Sequence, residues 1–461
     1  MSNSVSIPNI SDEEKGQETN DDYVRRTRSK FRRIHNKLGH RHRTRNNWIF
    51  HGVVRKLRKW WTIPLVLLSA GLFVYEASTI WKKFKEPPGS ERNTVPTTRI
   101  VHGVRERCLK LSPPEYIKTL PSSFEKSASP VKEIVYITGI NSSFSGEKTT
   151  LLQQPFEVSR FNRFTGFQTF YERNESFKVD EIASVHCGFY SENGGFKVSD
   201  EDKSYMETCQ IVVSTCTFGG GYDLYQPIGM SKETIRKVCY AAFWDEFTLK
   251  TKELEGSHID NDHMIGKWRI IVVRELPFVD QRMNSKIPKM LGHRLFPRAR
   301  YSIWVDSKSQ LHRDPVAVLE ALLWRTKSVL AISEHGARSS VYDEALTIVQ
   351  KNKEKTEEVD MQITQYRMDG FPEVKRFNEQ KALAEASIIV RDHTQLTNMF
   401  MCAWFNEVVR FTAHDQLSFP YVMWRMGMLK DINMYPVCTR RDLVNTTGHK
   451  RQEKPNTDGD V

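Results

Sequence analysis

The chain is 461 residues long, carries a net charge of +12, and is 39% hydrophobic and 27% charged. Fourteen of its basic residues fall within residues 23–59, a stretch without an acid, and the remainder of the chain balances at about −2. The positive charge is therefore a property of one segment, which removes the main support for nucleic-acid binding by the body of the chain.

Residues 1–59 read as a largely disordered basic tail. They run into an apolar stretch, residues 60–80, interrupted by a single charge at Glu76. A bilayer core needs about 20 apolar residues per helix, and Trp60, Trp61, Tyr75 and Trp81 are placed to sit at its interfaces. A cleaved signal peptide would lie nearer the start and end at a small-residue site. An amphipathic surface helix would have a polar face, which this run lacks. Residues 60–81 are thus expected to form an uncleaved transmembrane anchor. The fourteen cations before it outnumber Lys82, Lys83 and Lys85 after it. The positive-inside bias then puts the tail in the cytosol, where it favours anionic lipid, and the rest of the chain in a lumen.

Residues 82–130, rich in Pro, Ser, Thr and charge without a period, are expected to be a stem or linker. Residues 131–208 carry short apolar strings, IVYITGI and FQTFY, separated by Gly, Asn and Ser, and read as an irregular accessory subdomain. Residues 209–444 are long enough for one substantial α/β core, and residues 445–461 read as a disordered polar tail. All seven cysteines, Cys108, Cys187, Cys209, Cys216, Cys239, Cys402 and Cys438, follow the expected anchor, and none forms a CxxC pair. That argues against a zinc ribbon. An oxidising lumen would allow up to three disulfides with one thiol left over, their pairing open. Three N-x-S/T sequons on the same side, Asn141, Asn174 and Asn445, are candidate glycosylation sites.

Within residues 209–444, apolar strings at residues 210–218, 238–245, 268–273, 301–306, 329–335 and 386–393 read as strands. Asp314 and Pro315 open a helix as its N-cap and first residue. This alternation predicts an α/β domain with a mostly parallel central sheet and covering helices. Met399, Met401, Trp404 and Phe405, in a later helix, are expected to lie in the core.

Tyr301, Ile303 and Val305 alternate with Ser302 and Trp304 in a strand pattern that ends on Asp306. In open α/β sheets ligands sit outside the carboxyl ends of strands, so Asp306 is placed to meet a metal, a sugar or a polar head group; the alternative is an acid closing a turn. Upstream, Arg282, Lys286, Lys289 and His293 recur at helix-like spacing and offer cations to a phosphate. Lys308 follows two positions after Asp306. The turn Gly219-Gly220-Gly221, with Asp223 beyond it, would let backbone approach a nucleotide or head-group phosphate, or would simply make a tight connection. The P-loop and dinucleotide fingerprints are absent from it. A second polar set comprises Asp392 and His393 at a strand end, and His414 and Asp415 before an apolar helix. The alternatives there are a helix cap at Asp415 and a satisfied histidine at His393.

VVSTCTFGGGYDLYQP, KWRIIVV, KIPKMLGHRLFPRARYSIWVDSK, LAISEHGARSSVYDEA and WFNEVVRFTAHDQLSF together resemble the plant family that includes the turgor-regulation-defect alkaline ceramidase and the mucilage-related hexosyltransferases. The resemblance covers residues 209–438. It implies a single-span type II Golgi membrane protein with a luminal glycosyltransferase-A-like domain, and it brings two incompatible chemistries. In the ceramidase reading, narrowly preferred on the resemblance, the amide of ceramide is hydrolysed at a membrane surface to a sphingoid base and a fatty acid. A metal-activated water with histidine ligands and a carboxylate base would serve. The sets available are His258 and His263 with Asp260 and Asp262, or His393 and His414 with Asp392 and Asp415. In the hexosyltransferase reading, Asp306 is the first acid of a D-x-D element holding a divalent cation on a nucleotide-sugar diphosphate. Asp415 is then base or orienter for a glycan acceptor, and Lys286, Lys289 and His293 neutralise the leaving diphosphate. Lys308 stands where the second acid belongs, which removes a metal ligand and adds a repelling charge, although a lysine can itself stabilise a leaving phosphate. That departure supports a third reading, a non-catalytic Golgi scaffold on a degenerate transferase fold.

Overall fold

The computed structural model describes residues 100–101, 104–105, 107–119, 129–137, 161–162, 164–189, 196–260, 262–377 and 380–446. The expected basic tail and anchor, the sequon at Asn141 and residues beyond 446 lie outside them. Among the described residues no helix is long and apolar enough to cross a membrane.

A small parallel pair, β1 (Glu133–Tyr136) and β2 (Ile182–Val185), precedes the main sheet, with α1 (Phe170–Glu175) between its strands. The main sheet comprises β3 (Ile211–Thr217), β4 (Val238–Asp245), β5 (Met264–Ile265), β6 (Trp268–Val273) and β7 (Tyr301–Val305). After the short β8 (Ser309–Leu311), which lies outside it, the sheet is completed by β9 (Leu330–Glu334), β10 (Ala384–Asp392) and β11 (Ile432–Tyr435). Its strand order is β11-β9-β10-β7-β3-β4-β6-β5. The neighbours β11/β9, β7/β3, β3/β4 and β4/β6 are parallel, whereas β10 is antiparallel to both its neighbours and β5 to β6. The sheet is thus mostly parallel, as the alternation of elements predicts.

Helices cover both faces. The chain supplies α2 (Glu246–Leu254), α3 (Gln281–Met290), α4 (Pro315–Leu319), α5 (Val341–Gln350), α6 (Thr356–Met368), α7 (Gln395–Arg410), α8 (Asp415–Arg425) and α9 (Val437–Leu443). Val212, Cys216, Trp304 and Ile389 point into a core shared with Ile287 of α3, Trp404 of α7 and Phe419 of α8. Val213, Ile303, Val305 and Ile388 point the other way, towards Val318 and Leu319 of α4. All five residues of β7 are buried. Their alternation therefore divides two covered faces rather than a core face from a wet one, as is usual for parallel sheets. Each fully buried Ile or Val here stabilises the fold by about 1.5–3 kcal/mol. Met399, Met401, Trp404 and Phe405 are buried as expected, and the Asp314 carboxylate caps α4 by accepting from Val316 N at 3.0 Å.

Three disulfides join Cys108 to Cys438, Cys187 to Cys402 and Cys209 to Cys239, leaving Cys216 as a buried thiol. Residues 107–119 fall within the expected linker but are fastened to the domain. Besides the bond to Cys438, Cys108 N and Leu109 N both donate to Asp442 Oδ2. The segment ahead of the main sheet is likewise tied in, through Cys187 to α7 and through Arg173, whose Nε donates to Glu407 Oε1 at 2.6 Å.

Candidate active site

From β3 the chain steps outward to β4 and β6, then returns with β7 on the other side of β3. Strand order reverses there, and open α/β sheets bind ligands in the crevice outside the carboxyl ends at such a switch point. Asp306 follows β7 directly. Because β10 is antiparallel, it brings its start to this edge, and Asp306 N donates to Ser387 O at 2.9 Å.

Helix α3 supplies the cations. Asp280 caps it by accepting from Arg282 N at 2.8 Å, and Met283, Ile287 and Met290 are buried. Lys286 and Lys289, three positions apart, share another face. Both lysines donate to Asp415 Oδ2 at 2.8 Å. Lys289 Nζ also lies 3.6 Å from Asp306 Oδ1, which accepts from Trp304 Nε1 at 2.7 Å. One ammonium group thus touches both carboxylates. The backbone carbonyl of Asp415 accepts from Trp404 Nε1 at 3.0 Å, which anchors the first turn of α8 to α7.

Burial opposes ionisation of Asp415, but Lys286 and Lys289 outweigh it and hold the carboxyl well below the usual carboxylate range. Burial likewise opposes the charge of Lys289, yet Asp306 and Asp415 flank it and raise it above an ordinary lysine. Lys286 goes the other way: burial, with Lys289 alongside, pulls it down despite Asp415. The Cys216 thiol on β3 is pushed far up by burial and by the nearby Asp306 charge, so it is no nucleophile.

Sequence reasoning missed one acid at this edge. Glu385, near the start of β10, accepts from Ser387 Oγ at 2.6 Å and pairs with Arg440 of α9. Its signal was an acid just ahead of a buried apolar run, legible only once the strand's direction is known.

The remaining expected residues disperse. His393 follows the end of β10, whose antiparallel course puts it beside the start of β7, roughly 16 Å from Asp306 at about 3.3 Å per residue. There its Nε2 shares a hydrogen bond with Ser302 Oγ at 2.7 Å, and burial, with Arg391 nearby, pushes the imidazole down to about 3. Asp392 is at that same far end, 3.8 Å from Arg300 Nε. The basic row breaks at both ends. Arg282 turns back to chelate Asp280 and reaches Glu354 at 3.0 Å. His293 lies past the end of α3 in a separate short turn, buried with Nε2 against the sulfurs of Cys187 and Cys402, and burial holds its imidazole well below its ordinary value. It is therefore an uncharged core residue and not a phosphate ligand. Asp223 is exposed and accepts from Lys252 Nζ at 2.9 Å. The glycine turn is tied to the start of α2: Gly219 and Gly220 adopt positive φ, Gly219 N donates to Asp245 Oδ2 at 3.1 Å and Gly220 N to Thr248 Oγ1 at 2.9 Å.

His414 stays beside the cleft as the residue preceding Asp415, but its Nε2 is engaged with Glu344 Oε1 at 2.8 Å. Glu344 also pairs with Arg338. Burial raises its carboxyl, yet the bonds to His414 and Arg338 prevail and lower it to about 2. Of the sequons, Asn174 and Asn445 are both exposed.

A divalent cation does not fit these donors. A D-x-D element supplies two acids, whereas here Lys308 takes the second position, and Asp306 Oδ1 and Asp415 Oδ2 already share the Lys289 ammonium. A cation bound at oxygen distances of about 2.0–2.6 Å would have to displace that ammonium or abut it. The two histidine sets fare no better as zinc sites. Asp260 closes a turn by accepting from Met264 N at 2.7 Å, and His263 approaches Asp202 at 3.8 Å. The other set is divided between opposite ends of the sheet. Among the described residues, the side chains that gather as ligands would are Cys187, His293 and Cys402, and both of those cysteines are in a disulfide.

Residues 149–449 match the TOD1/MUCI70, glycosyltransferase-like domain. The chain is 36% identical over 301 residues to the probable hexosyltransferase MUCI70 of Arabidopsis thaliana, covering 63% of this chain and 52% of that protein. It is 31% identical over 326 residues to the alkaline ceramidase TOD1 of Arabidopsis thaliana, covering 68% and 65%. It thus spans less than two thirds of either relative. Among solved structures, mouse xyloside xylosyltransferase 1 aligns over 49% of this chain and 84% of its own with 8% identity and a TM-score of 0.29, a likeness too low to support a conclusion. The chain belongs to the TOD1/MUCI70 glycosyltransferase-like family.

Proposed function

We propose that the protein is a hexosyltransferase, moving a sugar from a nucleotide-sugar donor to a glycan acceptor in the cleft beyond β7. The observation that carries this reading is the assembly of Asp306, Asp415, Lys286 and Lys289 at the topological switch point. The acceptor hydroxyl attacks the anomeric carbon of the donor, and the bond from that carbon to the diphosphate oxygen breaks. Negative charge then develops on the leaving diphosphate, and the preorganised ammonium groups of Lys286 and Lys289 stabilise it. Asp415 does not suit the role of base, because a carboxyl held so low is a poor proton acceptor near neutral pH. Its part is to hold the two lysines in place. Asp306, 25% exposed, is the carboxylate left to orient a sugar hydroxyl or take the acceptor proton.

Ceramide hydrolysis, which the family resemblance alone prefers, has less behind it. Its expected histidine and carboxylate sets do not assemble, and the relative that bears the name is the less identical of the two. The direct test is to incubate the purified protein with a panel of nucleotide-sugars and measure nucleoside diphosphate release by wild type and by Asp306→Asn. Release by neither, across the panel and with plant glycan acceptors present, would remove the reading.

The proposal extends to placement: a type II Golgi membrane protein with residues 1–59 cytosolic and the catalytic domain luminal. The charge asymmetry about residues 60–81 supports it, and so does the pairing of six of seven cysteines, which suits an oxidising compartment.

A further inference from the structure

We infer that the Lys289 ammonium is the resident cation of this site, so that a nucleoside diphosphate is bound and released without any divalent metal. The inference rests on the transferase reading and specifies what neutralises its leaving group. Three independent observations carry it.

The first is position. Lys289 Nζ lies between the two carboxylates, 2.8 Å from Asp415 Oδ2 and 3.6 Å from Asp306 Oδ1, which is where a bridging metal would have to sit. The second is construction. Lys289 is 8% exposed on its side chain, and the carbonyl of the same residue accepts from Arg391 Nη1 at 2.7 Å; that guanidinium is itself buried and bonded to Ser302 Oγ. A lysine so enclosed has one place to put its charge. The third is composition. Lys308 replaces the second acid of the metal-binding element, so the loop after β7 presents one carboxylate and one cation.

Together these make a site whose positive charge is covalently attached to the chain. A lysine bonds phosphate oxygens as a point charge with three donors, whereas a metal requires several free oxygen ligands, and the carboxylates at this edge are already engaged, Asp415 and Asp306 by the lysines and Glu385 by Arg440. Lys286 adds a second ammonium, and its shared partner Asp415 keeps the pair from repelling.

The test is nucleoside diphosphate binding by the purified full-length chain, measured by calorimetry with UDP and GDP, once in excess EDTA and once in excess Mn²⁺. A parallel titration follows the electron paramagnetic resonance signal of free Mn²⁺ as protein is added. The expected result is an affinity the same within about threefold in both conditions and no loss of the free Mn²⁺ signal. Lys289→Met should weaken binding by roughly 10- to 100-fold, the size of one charge-assisted hydrogen bond, while Lys289→Arg should keep most of it in EDTA. Unfolding curves for both variants report whether a loss reflects misfolding, and the wild-type comparison stands without them. Binding that requires Mn²⁺ would overturn the inference and leave the transferase reading in place. Failure to bind either nucleotide in either condition would overturn both.

Discussion

Replacing Asp415 with Asn removes a charge that two lysines share. The carboxylate is 9% exposed and takes both Nζ atoms at 2.8 Å; without it Lys286 and Lys289 face each other, with Asp306 at 3.6 Å from the second. Removing one partner of a buried ion pair costs about 3–5 kcal/mol. The cost has a ceiling, because a lysine that loses its partner can shed its proton. From the ordinary lysine value near 10.4 down to pH 7 is about 3.4 units, or about 4.6 kcal/mol. Lys286, already pulled down by burial and by Lys289, is the group that would do so. A pH signature follows. In the variant the unfolded chain holds a proton that the folded chain has lost, so variant stability rises with pH and the deficit against wild type shrinks by up to about 1.4 kcal/mol per unit between about pH 7 and about pH 9. Wild type has its own signature at the acid end. The Asp415 carboxyl is depressed in the folded state, so its contribution is complete above the unfolded value near 3.9 and is lost as pH falls below that. Urea unfolding followed by tryptophan fluorescence, at several pH values, measures both. Adding Lys286→Met to the variant should recover about 1–3 kcal/mol by removing one of the stranded charges. A loss below about 1 kcal/mol without a pH slope would show that Asp415 is only a residue of the first turn of α8 and not the counter-ion of the pair.

Asp306→Asn keeps the shape of the side chain and leaves Asp415 on Lys289, so it should cost about 1–3 kcal/mol of stability, less than Asp415→Asn, while lowering turnover by roughly two orders of magnitude or more. Full activity in that variant would place the chemistry elsewhere. Under denaturing, non-reducing conditions a thiol reagent should find one reactive cysteine of seven, Cys216, and in the folded protein it should find none among the described cysteines; three or more thiols in the denatured chain would refute the pairing. In sealed Golgi vesicles an N-terminal tag should be cut by added protease and a C-terminal tag protected, and the reverse pattern would refute the orientation drawn from the charge asymmetry.

The strands of the sheet were legible because strands covered on both faces are written as unbroken apolar strings. Residues 238–245 and 268–273 emerge as Val238–Asp245 and Trp268–Val273 without adjustment. Asp306 and the Lys286–Lys289 pair were legible for local reasons too, one as the acid ending a strand and the other as an i,i+3 pair on a helix face. What sequence alone does not carry is strand direction. The composition of β10 is the same read either way, and its antiparallel course both removed His393 from the site and hid Glu385 within it. Nor is helix register visible across a break. The row from Arg282 to His293 looks continuous, but α3 ends at Met290 and the chain turns at Leu291, which sends His293 into the core. The role of Asp415 changed for a third reason. An acid at a helix start is equally a cap, a base or a counter-ion until its neighbours are known, and here two buried lysines decide it.

The most direct measurement places one preparation of the purified protein with ceramide and, separately, with UDP-sugars and plant glycan acceptors, following fatty acid release and UDP release side by side. A hexosyltransferase built on the Asp306–Lys289–Asp415 cleft should release UDP and elongate the acceptor, lose that activity in Asp306→Asn, and leave ceramide intact. Fatty acid released from ceramide without UDP from any donor would contradict it.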